Sequence, residues 1–170
     1  MATIQYKVMV KRVKATKIGD VFEVIISDTE KKYMQYIASD LTCLNSDVVR
    51  GFMKTYNVDN KPSLEEIVSD EVDFYAHCDS RAGIKLEYWT LYGNSQNVGN
   101  VKDAIFRGTN DFGDKISHEW YIWHINEDFI HVNNDDPRLR RSNNGPVYSA
   151  KRILLRVKEG YFYGIEPRFE

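Results

Sequence analysis

The chain has 170 residues, 42% hydrophobic and 28% charged, with a net charge of −2. Such totals exclude a disordered tail and describe a chain long enough to bury a core without a disulfide or metal staple. No run approaches the 18 apolar residues of a membrane span, and the N-terminus lacks the apolar core of a signal peptide.

The two cysteines, Cys43 and Cys78, are too few for a disulfide framework or a four-thiolate zinc site. A reduced, cytoplasmic setting is the expectation that follows. Charge is unevenly spread. Residues 1–17 carry five basic residues and no acid, residues 18–80 carry 5 basic and 13 acidic, and residues 81–170 carry 13 basic and 12 acidic. A split of this kind points to a charged partner surface.

In chain order, Tyr6, Val8 and Val10 alternate with polar residues and predict a first strand. Gly19-Asp20 predicts a turn and VFEVIIS a second strand, which together make a hairpin. Ser27 and Glu30 have capping-box spacing, and Tyr33, Met34, Ile37 and Ala38 follow at helical spacing, predicting a first helix. Asn45 or Ser46 opens a predicted second helix with Val48, Val49, Phe52, Met53 and Tyr56 on one face. Ser63 and Glu66 open a short third, with Leu64, Ile67 and Val68 as its apolar face.

Val72, Phe74, Ala76 and Cys78 then alternate as a strand, Asp79–Gly83 turns, and Ile84, Leu86, Tyr88 and Thr90 alternate again. NSQNVGN and TNDFGD read as loops, and VKDAIFRG between them fits helix or strand. ISHEWYIWHI is a strand rich in aromatic and β-branched residues. YSAKRILLRV and YFYGIE predict a closing hairpin around Lys158-Glu159-Gly160. The expected fold is therefore one α+β domain over 1–170. It has a mainly antiparallel sheet of about six to eight strands, and two to three helices inserted after the first hairpin. The segment 133–146, NNDDPRLRRSNNGP, reads as a long polar loop without an apolar face, a length that compact domains often reserve for function.

Three of the four histidines lie in HEWYIWHINEDFIHVNNDDPRLRR. A turn centred on Glu127-Asp128 sets His124 opposite His131, close enough to share a metal with His118 or Asp135. The competing reading has Trp120, Ile122 and His124 on one sheet face and the histidines as ordinary strand residues. No standard zinc spacing accompanies them.

Cys43 precedes the expected second helix, where a thiolate gains from the helix dipole. Asp40-Leu41-Thr42-Cys43-Leu44 resembles the nucleophile segment of ovarian-tumour-type cysteine proteases, in which an Asp precedes the Cys by three. The resemblance covers five residues, and Leu41 stands where that family has glycine. It implies Cys43 as nucleophile, with His131 as base and Asn133 as orienting residue. A lone cysteine before an amphipathic segment is otherwise a small buried apolar group.

Basic residues interleave with aromatics. Lys7, Lys11 and Lys14 lie on the first strand, Arg138, Arg140 and Arg141 on the long loop, and Lys151, Arg152, Arg156 and Lys158 on or near the final hairpin. Tyr148, Tyr161 and Tyr163 are placed for stacking. A sequence pI of about 6.1 and the acidic middle oppose direct nucleic-acid binding.

No phosphate loop, zinc-protease, kinase or calcium-loop motif is present, and no cofactor is expected. A non-enzymatic protein that binds a macromolecule is therefore the expected function. The partner is a protein, engaged through Arg138, Arg140, Arg141, Lys151, Arg152, Arg156 and Tyr148, and no membrane is involved. The Asn-, Lys-, Ile- and Tyr-rich composition fits an AT-rich genome and suits a phage or mobile-element inhibitor of a host defence or nucleic-acid-handling protein. The alternatives are a Cys/His or metal-dependent hydrolase, a nucleic-acid binder, and a nucleotide sponge whose pocket uses Trp120, Trp123 and Tyr88.

Overall fold

The computed structural model describes residues 13–111, 116–162 and 167–168. In order, the described elements begin with strands β1 (Asp20–Ile25), β2 (Glu30–Asp40), β3 (Ser46–Phe52) and β4 (Tyr56–Asn57). Helix α1 (Leu64–Val68), strand β5 (Val72–Cys78), helix α2 (Ser80–Lys85) and strand β6 (Thr90–Asn94) follow. Strands β7 (Ile105–Thr109), β8 (Trp120–His124), β9 (Ile130–Val132), β10 (Asn143–Asn144) and β11 (Val147–Tyr148) lead into helix α3 (Ala150–Glu159). Seven strands form one sheet in the order β11-β5-β3-β2-β1-β6, with β4 paired to β2, and β10-β7-β8-β9 form a second. Only the β11–β5 and β10–β7 pairings are parallel among the described strands. The class is the expected one: mixed α+β with a mainly antiparallel sheet.

The expected helices at Ser27–Ala38 and from Asn45 onward are instead β2 and β3, the centre of the large sheet. Most of both strands is buried on either face, so apolar residues occur without a period of two and imitate a helical stripe. The Ser27 capping signal has a real counterpart in a different structure. Ser27 Oγ accepts from the Glu30 N–H at 3.1 Å, and this closes the β1–β2 turn, not a helix. The third expected start is a helix: Ser63 Oγ accepts from Glu66 N–H and caps α1.

The closing hairpin is also corrected. Residues 150–159 form α3, capped by Ser149, whose Oγ accepts from Arg152 N–H. It ends at Gly160, whose φ of 83° is the left-handed conformation glycine takes without strain. Ile153, Arg156 and Val157 face inward. The first expected strand and most of YFYGIE lie outside the described residues.

One face of the large sheet, with Phe22, Met34, Val49, Phe74 and Ala76, packs against Trp89 and against Ile153 and Val157 of α3. The other face is divided. Val21, Tyr33 and Phe52 meet α1 through Ile67 and Val68. Ile37 and Val48 meet Phe106 and Trp123 of the second sheet. Arg50 lies on this divided face and is 4% exposed. Its guanidinium is held by Gln35 Oε1 at 2.8 and 3.0 Å and by the carbonyls of Val68 and Asn97.

Candidate functional site

At one end of the two sheets a buried carboxylate takes bonds from both. Asp40 ends β2 and is fully buried, as is His77 of β5. His77 Nε2 lies 2.9 Å from Asp40 Oδ2, and the Trp123 indole N–H donates to the same oxygen at 3.1 Å. The other oxygen accepts the backbone N–H groups of Thr42 and Asn126, each at 3.0 Å. Burial alone would raise the Asp40 pKa. The Asn126 N–H, His77 and Trp123 outweigh it and hold the carboxyl below its usual value. Burial pushes His77 down further than Asp40 pulls it up, so the ring is neutral at pH 7 and its Nε2–H points to Asp40. Its Nδ1 is buried without a well-formed hydrogen bond.

These bonds fasten two turns to each other. Residues 41–45 join β2 to β3, and residues 125–129 join β8 to β9. Leu41 N–H donates to Asn126 Oδ1 at 2.7 Å, and Thr42 Oγ1 donates to the Glu127 carbonyl at 3.0 Å. Each turn uses left-handed backbone at residues other than glycine: φ is 57° at Leu44, 51° at Asn45 and 63° at Asn126. Asparagine tolerates this conformation, whereas a leucine in it is strained. Three large apolar side chains of the joined tips are exposed. Leu44 is 86%, Leu41 71% and Phe129 52% exposed, and Phe129 packs edge-on against Trp123 with centroids 4.7 Å apart. Asn45, Asn126, Glu127 and Asp128 are exposed on the same two turns.

The 133–146 segment is built differently. Leu139, its one large apolar side chain, is fully buried in a cluster with Ile105, Trp120, Ile122 and Val132 and anchors the segment. A 3₁₀ turn over Leu139–Arg141 leads into β10. Asp136 binds Arg138 through both carboxylate oxygens. Arg140 and Arg141 are exposed on the 3₁₀ turn, with Arg140 engaged in further contacts.

The remaining expected binding residues divide between α3 and the core. Lys151 is exposed, and Arg152 lies over the Tyr148 ring at 4.9 Å. Arg156 is buried with two bonds to Asp73 at 2.9 Å, and Tyr148 is 3% exposed and stacked on Phe162 at 4.1 Å. Both of these side chains are buried against the core.

The histidine arrangement also differs from the expected one. Tyr121, not His124, faces His131, because the turn is centred on Asn126 and not on Glu127-Asp128. Asn126 takes its left-handed conformation there, and Glu127 N–H closes onto the His124 carbonyl. His131 packs on Tyr121 at 5.4 Å, His118 Nδ1 lies 3.3 Å from Asn134 Nδ2, and Asp135 is exposed. Among the described residues no group of three His, Cys, Asp or Glu side chains is placed to hold a metal.

Cys43 sits in a strand-to-strand turn, without the helix the thiolate argument requires, and its thiol donates to the Gly145 carbonyl at 3.5 Å. Burial, then the charge of Asp40, pushes that thiol above its usual pKa, the opposite of an activated nucleophile. Asn133 closes a local turn through its carbonyl. The residue of the protease-like segment that is most engaged is Asp40, as an anchor. His77, its buried partner, has no local signal in the sequence because the two lie 37 positions apart.

No described helix is long and apolar enough to cross a membrane. Compared with protein-family models, curated proteins and solved structures, the chain matches none.

Proposed function

We propose that the chain is a non-enzymatic binding protein that docks on a protein partner through the joined tips at 41–45 and 125–129. The observation that carries this reading is Leu44: a large apolar side chain, 86% exposed, on left-handed backbone. Folding alone gains nothing from that arrangement, since the side chain stays in water and its backbone is strained. A partner that covers Leu44, Leu41 and Phe129 gains the apolar burial that folding forgoes, and large apolar side chains exposed on joined turns are where an interface is sought. The Asp40 node keeps the patch rigid, which reduces the ordering cost of association. Glu127 and Asp128 beside it favour a partner whose apolar surface is rimmed by basic residues. An inhibitor that occludes a host enzyme is the form of binding protein to which the composition points.

Capture and cross-linking from the cells that encode the chain tests this reading. Wild type and a variant with Arg138, Arg140 and Arg141 changed to Ala should retain one and the same protein, whereas Leu44→Asp should lose it. Retention by Leu44→Asp, or loss confined to the arginine variant, would move the interface to the 133–146 segment.

A further inference from the structure

A second feature lies apart from the tips. Among the described residues three cationic side chains are buried: Lys31, Arg50 and Arg156. Lys31 is paired with Glu23 and Arg156 with Asp73, each at 2.9 Å. Arg50, in β3, has no carboxylate partner among the described residues. A guanidinium carries five N–H groups, one on Nε and two on each terminal nitrogen. Nε and Nη2 direct theirs to Gln35 Oε1 and to the carbonyls of Val68 and Asn97, all of them neutral acceptors. Nη1 makes none of these bonds and is not among the buried side-chain atoms left without a partner, so solvent reaches it.

Burial pulls the Arg50 pKa down, yet a guanidinium stays charged at pH 7. Tyr75 faces it from β5, but burial raises the pKa of that phenol, which is therefore neutral and no counter-charge. A charge held away from water is costly unless an opposite charge or full hydrogen bonding offsets it. The fold gives that compensation to Lys31 and Arg156 and only part of it to Arg50. The approach to Nη1 is kept clear by Gly99. Its φ is 72°, and a Cβ on it would stand 2.2 Å from Nη1. A side chain there would crowd the nitrogen, and glycine takes the left-handed backbone without strain. The surrounding loop is fixed in place. Gln35 Nε2 donates to the Ser95 carbonyl at 3.1 Å, and Gly99 N–H donates to Asn97 Oδ1 at 3.2 Å. Guanidinium and loop are thus ordered without a ligand, which lowers the cost of binding one.

We propose that Arg50 Nη1, beside Gly99, binds a small oxyanion, a phosphate or a carboxylate group. The oxygens of the anion accept the two N–H groups of Nη1, in charge-assisted bonds stronger than those to the neutral acceptors. The anion supplies the negative charge that Glu23 supplies to Lys31 and Asp73 to Arg156. No residue of this site belongs to the tips, so it stands or falls separately from the docking surface.

The test follows the thermal midpoint of the full chain at fixed ionic strength while sodium phosphate or sodium acetate replaces sodium chloride. Phosphate also stabilises folded proteins by exclusion from their surface, but that effect does not saturate and does not depend on one glycine. The expected result is a saturable rise with phosphate, with acetate or with both, of about 3–5 °C at ten times the Kd. A response to phosphate alone assigns the site to phosphate groups, and one to acetate alone assigns it to carboxylates. Arg50→Gln should lose the response. If that variant does not fold, Gly99→Ala decides: it keeps the guanidinium, crowds Nη1 and should weaken the anion by about tenfold. Arg138→Ala and Leu44→Asp should respond as wild type does. No rise, a rise still linear at roughly 100 mM of either anion, or a saturable rise retained in full by Gly99→Ala would each overturn the proposal.

Discussion

The 133–146 segment and the joined tips invert one another. The segment is rich in charge and turns its one large apolar residue, Leu139, fully inward, while Asp136 neutralises Arg138 at the surface. At the tips Asp40 is buried beneath the turns, while Leu41, Leu44 and Phe129 are exposed together with Glu127 and Asp128. The first arrangement is what burial and solvation favour in a connector. In the second, a rigid scaffold holds apolar side chains where folding alone gains little. The difference is what supports the proposal that a partner docks on the tips and not on the arginine-bearing segment.

Four experiments sharpen or break that contrast. The largest effect should come from Asp40→Ala. The change strips the acceptor from His77, from the Trp123 indole and from the N–H groups of Thr42 and Asn126, so unfolding in urea should show a loss of about 3–5 kcal/mol. A loss within error would mean that the tips are held by something else.

Next, Arg156→Ala should cost about 3 kcal/mol by the same assay, because it leaves Asp73 unpaired and strips the guanidinium from the rings of Phe74 and Phe162. Arg138→Ala, in an exposed pair, should leave stability unchanged. Similar losses from the two arginines would erase the distinction between the core pair and the surface pair.

The third effect depends on pH. His77 has its folded pKa below the unfolded value of about 6.5, so the unfolded chain takes up a proton first as pH falls. Stability should therefore decline below about pH 6.5 and keep declining until the folded ring also protonates. Asp40, with its pKa held down in the fold, stabilises above about pH 4, and that contribution is lost as pH falls below it. In melts from pH 7 to 3, His77→Gln should remove the earlier decline and spare the later one. A variant that melts in parallel with wild type would contradict the assignment of His77 as neutral.

The smallest effect belongs to Leu44→Gly. Relief of the left-handed strain and the added freedom of the unfolded chain nearly offset, so stability should change by less than about 1 kcal/mol, toward the more stable side.

How much was legible in the sequence varied with the physics of each segment. β1, β5 and β8 show themselves because alternation, turn residues and aromatic content agree there. The Ser63 cap marks α1 by a contact only three residues long. β2 and β3 are misread because a strand covered on both faces loses the period that identifies it. α3 is misread as a strand although Ser149 and Gly160 bracket it, since Ile153, Leu154 and Leu155 run together and resemble a buried strand. For the site, Cys43 attracts attention by its chemistry, but three positions earlier Asp40 gathers partners 37, 83 and 86 residues away. Contacts of that span leave no local pattern. The nearer signal was the pair of leucines in the turn Leu41-Thr42-Cys43-Leu44-Asn45, large apolar residues where a turn is normally polar.

The most direct test of the account measures stability and partner capture on one protein, Leu44→Gly. The account predicts a thermal midpoint equal to or slightly above wild type together with loss of the captured protein. A midpoint lowered as by a core truncation, or capture equal to wild type, would contradict it.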